Sequence, residues 1–454
     1  MRFNRVLIAN RGEVAVRVIR ALHELDIEAV AVYSTVDRDS LHVRLADRAV
    51  CIGPAPASES YLRIPSIIAA GVTTGCQAVH PGWGFLAESP AFAQACAEND
   101  LIFVGPSPEV MARMGDKASA REEMRAAGIP VVPGTSAVSA AEAADAAREL
   151  GFPVLLKATA GGGGKGMRLV PAPEQLERAF TTAASEAEAA FGDGRLYLEK
   201  VIVPARHVEI QVLGDAHGNV LTLGERECSI QRRHQKLIEE SPSPALTSER
   251  REEMESTAER AATVIGYQNA GTFEFLLGPD GSFYFIELNA RLQVEHPVSE
   301  LVTGIDLVHE QLRVAAGEPL ELTGRAPRRG HAIEVRVNAE DPARDFLPMP
   351  GRVERFRPPS GPGVRVDTHI EEGSVVPPHY DSLLAKLVVW ASDREHALAR
   401  CLRALNEFEV IGLPTTIGAA AQVIRSEGFA RGDYSTSYLE DVADALPALA
   451  EAEA

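Results

Sequence analysis

The sequence predicts a chain of mixed α/β and α+β class divided into several domains, and three observations support this. Its 454 residues exceed what a single hydrophobic core serves. From Arg5 to Val104, short apolar runs (RVLIA, EAVAVYS, QAVH, LIFV) alternate with helix-length segments, the pattern of a parallel sheet covered by helices. Beyond that stretch the pattern changes to helices, a glycine cluster and hairpins with polar turns, and past about residue 320 to Pro- and Gly-rich strand-and-turn sequence. The divisions expected are 1–114, 115–325 and 326–445, with 446–454 a low-complexity, flexible tail.

The first helix is the easiest element to place. Val14, Val18, Leu22 and Leu25 share one stripe at 3.6-residue spacing, and Arg17, Arg20 and Glu24 fall outside it. In parallel folds ligands gather at the carboxyl ends of strands, so NRGE at 10–13 and HPGWGFLAE at 80–88 are candidate site loops. No GxGxxG follows the first strand, which argues against a dinucleotide fold.

Composition removes several function classes. A net charge of -19 disfavours broad attraction to nucleic acid or anionic lipid, so an anionic substrate needs a local positive pocket. No run approaches the roughly 20 apolar residues of a membrane span, and the N-terminal MRFNRVLIANRGE fits a buried strand better than a signal peptide. Cys51, Cys76, Cys96, Cys228 and Cys401 lack CxxC spacing, so a reduced, cytoplasmic protein is expected.

Three segments carry candidate chemistry. In Lys157-Ala-Thr-Ala-Gly161-Gly-Gly-Gly-Lys165-Gly166-Met, a glycine tip between two strands lets backbone N–H groups wrap phosphate oxygens, with lysines supplying charge. It is not a Walker loop, since Gly follows Lys165, and alone it reads more readily as a mobile surface hairpin or linker.

The second segment, GTFEFLLGPDGSFYFIELN, reads as a hairpin about Gly278–Gly281. Pairing Leu277 with Ser282 places Glu274 opposite Phe285 and makes Glu287 its diagonal neighbour on one face, within common reach of a hard cation such as magnesium. A bulge would break that register. Beyond it, strict alternation from Glu287 to Glu295 puts Glu287, Asn289, Arg291, Gln293 and Glu295 on one face, as any half-buried strand also would.

The third is Glu225-Arg-Glu-Cys-Ser-Ile-Gln231-Arg-Arg-His234-Gln-Lys236, a basic knot in an acidic chain. It is either a solvated face or the local reversal of charge that phosphoryl transfer requires. Lys117 and Arg336 read by themselves as ordinary helix-surface and strand residues, while Glu199-Lys200 ends a strand and meets either a nucleotide or merely solvent.

Taken together, VLIANRGEVAVRVIR, HPGWGFLAES, GDKASA, KATAGGGGKGM, EKVIVPARHVEIQVLGD, ERECSIQRRHQK, GTFEF, IELNARLQVEHPVSE, GHAIEVRVNAEDP and VPPHYDSLLAK resemble the ATP-grasp superfamily, and within it the biotin carboxylases. The likeness spans essentially the whole chain. It implies a Rossmann-like, pre-ATP-grasp N-terminal domain, a central ATP-grasp domain whose mobile glycine-rich lid occupies about 131–203, and a C-terminal α+β domain.

It also implies that Lys117, Lys157, Gly162, Gly163, Gly164, Lys165, Gly166, Glu199, Lys200, His207, Gln231, His234 and Leu276 contact ATP, and that Glu274, Glu287 and Asn289 hold Mg2+ or Mn2+. Bicarbonate would meet Arg291, Gln293, Val294 and Lys236, with Glu295 as its base; Arg336 and Trp83 would face biotin. The implied reaction couples ATP to bicarbonate through carboxyphosphate. With no Met-Lys-Met motif in the chain, biotin is expected on a separate biotin carboxyl carrier protein, acting with carboxyltransferase subunits in an acetyl-CoA or acyl-CoA carboxylase, and a homodimer is implied.

The chain departs from the family pattern at Trp83, usually tyrosine, at Ala160, usually glycine, and at Lys165, usually arginine. Another ATP-grasp ligase, joining a carboxylate to an amine, would share the lysines, the glycine loop and Glu274/Glu287; the Arg291–Glu295 segment and Arg336 argue against it. A non-catalytic nucleotide-binding regulator would have no use for Glu274, Glu287, Glu295 and Arg336 together.

Overall fold

The computed structural model describes residues 3–159 and 167–442. The glycine cluster with Gly162, Gly163, Gly164, Lys165 and Gly166, and the C-terminal tail, lie outside the described residues.

The N-terminal strands β1 (Arg5–Ile8), β2 (Glu28–Ser34), β3 (Arg48–Gly53), β4 (Ala78–His80) and β5 (Ile102–Phe103) form a parallel sheet in the order β3-β2-β1-β4-β5. Val6, Leu7 and Ile8 are fully buried, so the N-terminal apolar run is a core strand. The helix α1 (Gly12–Glu24) buries Val14, Val18 and Leu22 as the stripe requires, and Leu25 caps its end half-buried. Arg17 is buried too, because α1 is covered on both sides. Its guanidinium pairs with Glu300 at 2.9 Å and Asp306 at 2.6 Å.

Next come β6 (Val154–Ala158), β7 (Met167–Val170) and β8 (Leu196–Lys200), a small antiparallel sheet ordered β7-β6-β8. β6 and β7 flank the glycine cluster as the strand-loop-strand reading expects.

The largest element among the described residues is a nine-stranded sheet. It contains β9 (Arg206–Gly214), β10 (Val220–Arg232), β11 (Gln235–Ser241), β12 (Asn269–Leu277), β13 (Phe283–Asn289), the short β14 (Gly324–Arg325) and β15 (His331–Asn338), followed by strands Leu383–Ala391 and Val364–Thr368. The C-terminal strands therefore join the central sheet: β11 pairs antiparallel with β15, with Glu239 opposite Glu334. Alternation along β9 sends Val208, Ile210 and Val212 into the apolar layer and leaves His207, Glu209 and Gln211 on the other face.

Buried ion pairs clamp the outer part of this framework. Burial alone would raise the Glu240 pKa, but the His331 ring at 2.6 Å and the Arg394 guanidinium at 2.7 Å hold it down to about 2. Asp37, buried against the Arg11 guanidinium at 2.8 Å and the Tyr61 hydroxyl at 2.6 Å, is likewise held at about 2. Both carboxyls titrate lower in the folded than in the unfolded chain. The stability they confer is present above about pH 4.5 and is lost as pH falls toward 2, about 3 kcal/mol for Glu240. Acid titration of thermal stability is expected to fall steeply across that window and less steeply for Glu240→Gln; identical slopes would refute the assignment.

Candidate functional site

The site lies on the polar face of the large sheet, and cross-strand register builds it. Leu277 pairs with Phe283, Leu276 with Tyr284 and Phe275 with Phe285; then Ile286 bulges out, and Glu274 sits directly opposite Glu287. This corrects the register read from sequence by one residue at the turn. The bulge, whose extra residue re-aims the strand, replaces the expected diagonal with a direct pair on the same face. Glu209 on β9 lies opposite Glu274, and Arg226 on β10 opposite Glu209. One row across four strands thus reads Arg226, Glu209, Glu274, Glu287.

Carboxylates directly opposed in a sheet repel, and cations offset this. Lys236 Nζ donates to Glu209 at 2.7 Å, Glu274 at 3.1 Å and Glu295 at 2.5 Å, so its three protons meet three acceptors. Although burial lowers its pKa, those glutamates raise it well above the ordinary value. His207 Nε2 is 3.1 Å from Glu274, and Lys117 at the start of its helix is 2.5 Å from Glu287. Lys157 donates to Glu199 at 3.0 Å, both buried, with Arg121 at 3.3 Å. Leu276 pairs with His207, while Gln231 and His234 stand near the tip of the β10–β11 hairpin, where Arg233 and His234 take positive φ. Lys200 ends β8, exposed.

The alternation predicted from Glu287 to Glu295 stops at Asn289, where β13 ends. Residues 290–295 are irregular and lead into the helix His296–Thr303, with Leu292, Gln293, Val294 and Glu295 all buried. The polar side chains converge nonetheless. Glu295 bridges Lys236 and, at 2.9 Å, Arg336, whose Nε reaches Glu239 at 2.6 Å. Arg291 donates to Glu88 at 2.9 Å, Gln293 Oε1 at 2.9 Å and Asn289 at 3.1 Å, and Asn289 Nδ2 donates to Glu274 at 2.9 Å. Burial raises the Glu295 pKa, but Lys236 and Arg336 outweigh it and hold the carboxyl well below the usual range.

The loops at 10–13 and 80–88 line a cavity of about 180 Å³ together with His369, His379 and Tyr380. Trp83 stands there, and its indole N–H donates to Glu13 at 2.9 Å. Arg226, Glu209, Glu239 and Lys386 were not singled out from the sequence. The alternation His207-Val-Glu209-Ile-Gln211 and the single charge in LLAKLVVWA were signals that could have found two of them.

The sheet, its carboxylate row and the small sheet carrying the glycine cluster define an ATP-grasp enzyme. Family models match three consecutive regions: the biotin carboxylase N-terminal domain at residues 2–111, the carbamoyl-phosphate synthase L chain ATP binding domain at 116–323, and the biotin carboxylase C-terminal domain at 334–441. The biotin carboxylase of Nostoc sp. is 53% identical over 445 residues, covering 97% of this chain and 100% of the relative. A biotin carboxylase–β,γ-ATP complex from Campylobacter jejuni superposes with a TM-score of 0.95 at 47% identity, covering 97% and 99% of the two chains. The biotin carboxylase domain dimer of Hydrogenobacter thermophilus 2-oxoglutarate carboxylase, solved with MgADP, ADP and bicarbonate, gives 0.95 at 46% identity, covering both chains fully. The chain belongs to the biotin carboxylase family.

Proposed function

We propose that the chain carboxylates biotin held on a separate carrier protein, using ATP and bicarbonate through carboxyphosphate, as the first half-reaction of an acetyl-CoA or acyl-CoA carboxylase. The observation that carries this reading is Lys236 joining three buried glutamates, one of which, Glu295, also meets Arg336.

Glu274, Glu287 and Asn289 offer oxygen donors on one face, the set a hard divalent cation prefers, and their charge is already balanced by Lys236, His207 and Lys117. They would hold magnesium or manganese, which when bound neutralises charge on the ATP phosphates. Lys117, Lys157, Glu199, Lys200, His207, Gln231, His234 and Leu276 would bind the nucleotide, and the glycine cluster would cover its phosphates.

Glu295 is a weak base while Lys236 and Arg336 both hold it. Bicarbonate, bound by Arg291, Gln293 and the backbone at Val294, draws Lys236 onto its own oxygens, and the relieved Glu295 takes its proton. The bicarbonate oxygen then attacks the γ-phosphorus and ADP leaves. Carboxyphosphate breaks down to carbon dioxide and phosphate, the phosphate takes the ureido proton of biotin, and the ureido nitrogen bonds the carbon. Arg336 stabilises the enolate-like oxygen formed on the way.

A biotin carboxyl carrier protein, carboxyltransferase subunits and a homodimer belong to the same reading, and the Hydrogenobacter dimer supports the last. So does a cytoplasmic location, supported by five free cysteines; among the described residues no helix is long and apolar enough to cross a membrane. The test is ATP cleavage by the purified chain, expected to require bicarbonate, to rise with free biotin and to stop on chelation of divalent ions. Dependence on an amine in place of bicarbonate would favour the carboxylate–amine ligase instead.

A further inference from the structure

Residues 290–295 are irregular backbone, yet Gln293, Val294 and Glu295 are buried, so their peptide groups need specific partners. The Gln293 carbonyl accepts from His296 Nδ1 at 2.7 Å, and the Val294 carbonyl accepts from Lys386 Nζ at 3.0 Å. A carbonyl can only accept, so the His296 proton sits on Nδ1. Burial keeps that ring neutral by pushing its pKa well below the ordinary value.

Lys386 is fully buried in the otherwise apolar run LLAKLVVWA. Its charge is met by Glu13 at 3.1 Å and Asp367 at 3.9 Å, and Glu13 in turn accepts the Trp83 indole N–H. Apolar side chains of similar volume in place of the whole Lys386–Glu13 pair would often be as stable or more so, so the burial of these charges here calls for another reason.

In a trans peptide the C=O and N–H point in opposite directions. Anchoring two successive carbonyls to Lys386 and His296 therefore turns the N–H groups of Val294 and Glu295 away from those two side chains. Two adjacent N–H groups turned the same way make a small anion nest. We infer that Lys386 and His296 are positioning residues that present the Val294–Glu295 backbone to bicarbonate, and that Glu13, itself fixed by Trp83, holds Lys386 for this task. The inference rests on bicarbonate binding at the Arg291–Glu295 segment. It links the loop carrying Trp83 to the anion site without a contact between Lys386 and either substrate.

The test compares wild type with Lys386→Met/Glu13→Gln, which removes both charges of the pair together, and with His296→Leu and His296→Asn, the last keeping an N–H donor near the Nδ1 position. Bicarbonate KM, ATP KM and kcat are measured in bicarbonate-dependent ATP cleavage with free biotin. Bicarbonate KM is expected to rise at least tenfold in the double variant and in His296→Leu, with ATP KM within twofold, and His296→Asn is expected to recover most of the loss. An unchanged bicarbonate KM, or both KM values rising together, overturns the inference. Thermal melts report folding, and if the double variant does not fold, the His296 pair decides alone. Wild-type cleavage indifferent to bicarbonate would instead defeat the functional reading itself.

Discussion

Glu295→Gln is expected to cut bicarbonate-dependent ATP cleavage by about a thousandfold, the scale of a lost general base, while ATP affinity stays within about threefold. The substitution keeps the shape of the side chain but leaves it one acceptor oxygen. Lys236 and Arg336, which now share its two oxygens at 2.5 Å and 2.9 Å, then compete for one. In the proposed mechanism, no carboxylate would remain at that position to take the proton from bicarbonate. Nucleotide titration and steady-state cleavage separate the two effects. Residual turnover within tenfold of wild type would remove Glu295 from the role of base.

The largest stability effect is expected at Arg226. It is fully buried and spends its donors on Glu209 at 2.5 Å, Gln211 at 2.7 Å, Ser299 at 3.0 Å and Thr272 at 3.0 Å. Arg226→Met leaves Glu209 with Lys236 as its closest remaining cation and orphans three polar groups. Breaking a buried pair by removing one partner costs about 3–5 kcal/mol, which in a chain of this length lowers the unfolding midpoint by about 3–5 °C. Because Ser299 belongs to the helix that Glu295 caps, activity should fall along with stability. A midpoint within about 2 °C of wild type would show that Arg226 contributes little to the fold.

The sequence made the carboxylate pair legible because a hairpin turn and period-two alternation are local properties. Glu274 and Glu287 were placed on one face, and the bulge at Ile286 changed their offset without separating them. Alternation past Asn289 misled, since the order polar–apolar–polar persists in a buried loop whose side chains are fixed by distant partners. Arg226 was hidden for the opposite reason: Glu-Arg-Glu reads as a solvated run until β9 and the helix His296–Thr303 cover it. The third region's strands read correctly as strands, but their joining β11 depends on which free edge is nearest in space, and no local pattern encodes that.

That joining has a consequence for dissection of the enzyme. A fragment stopped after Leu320 would contain the ATP-binding strands and yet end in solvent along β11, whose backbone donors and acceptors now meet β15. Such a bare edge recruits a second copy or precipitates. The central and C-terminal regions are therefore knitted into one fabric, and this protein should tolerate domain shuffling poorly at the seam where family boundaries would suggest cutting.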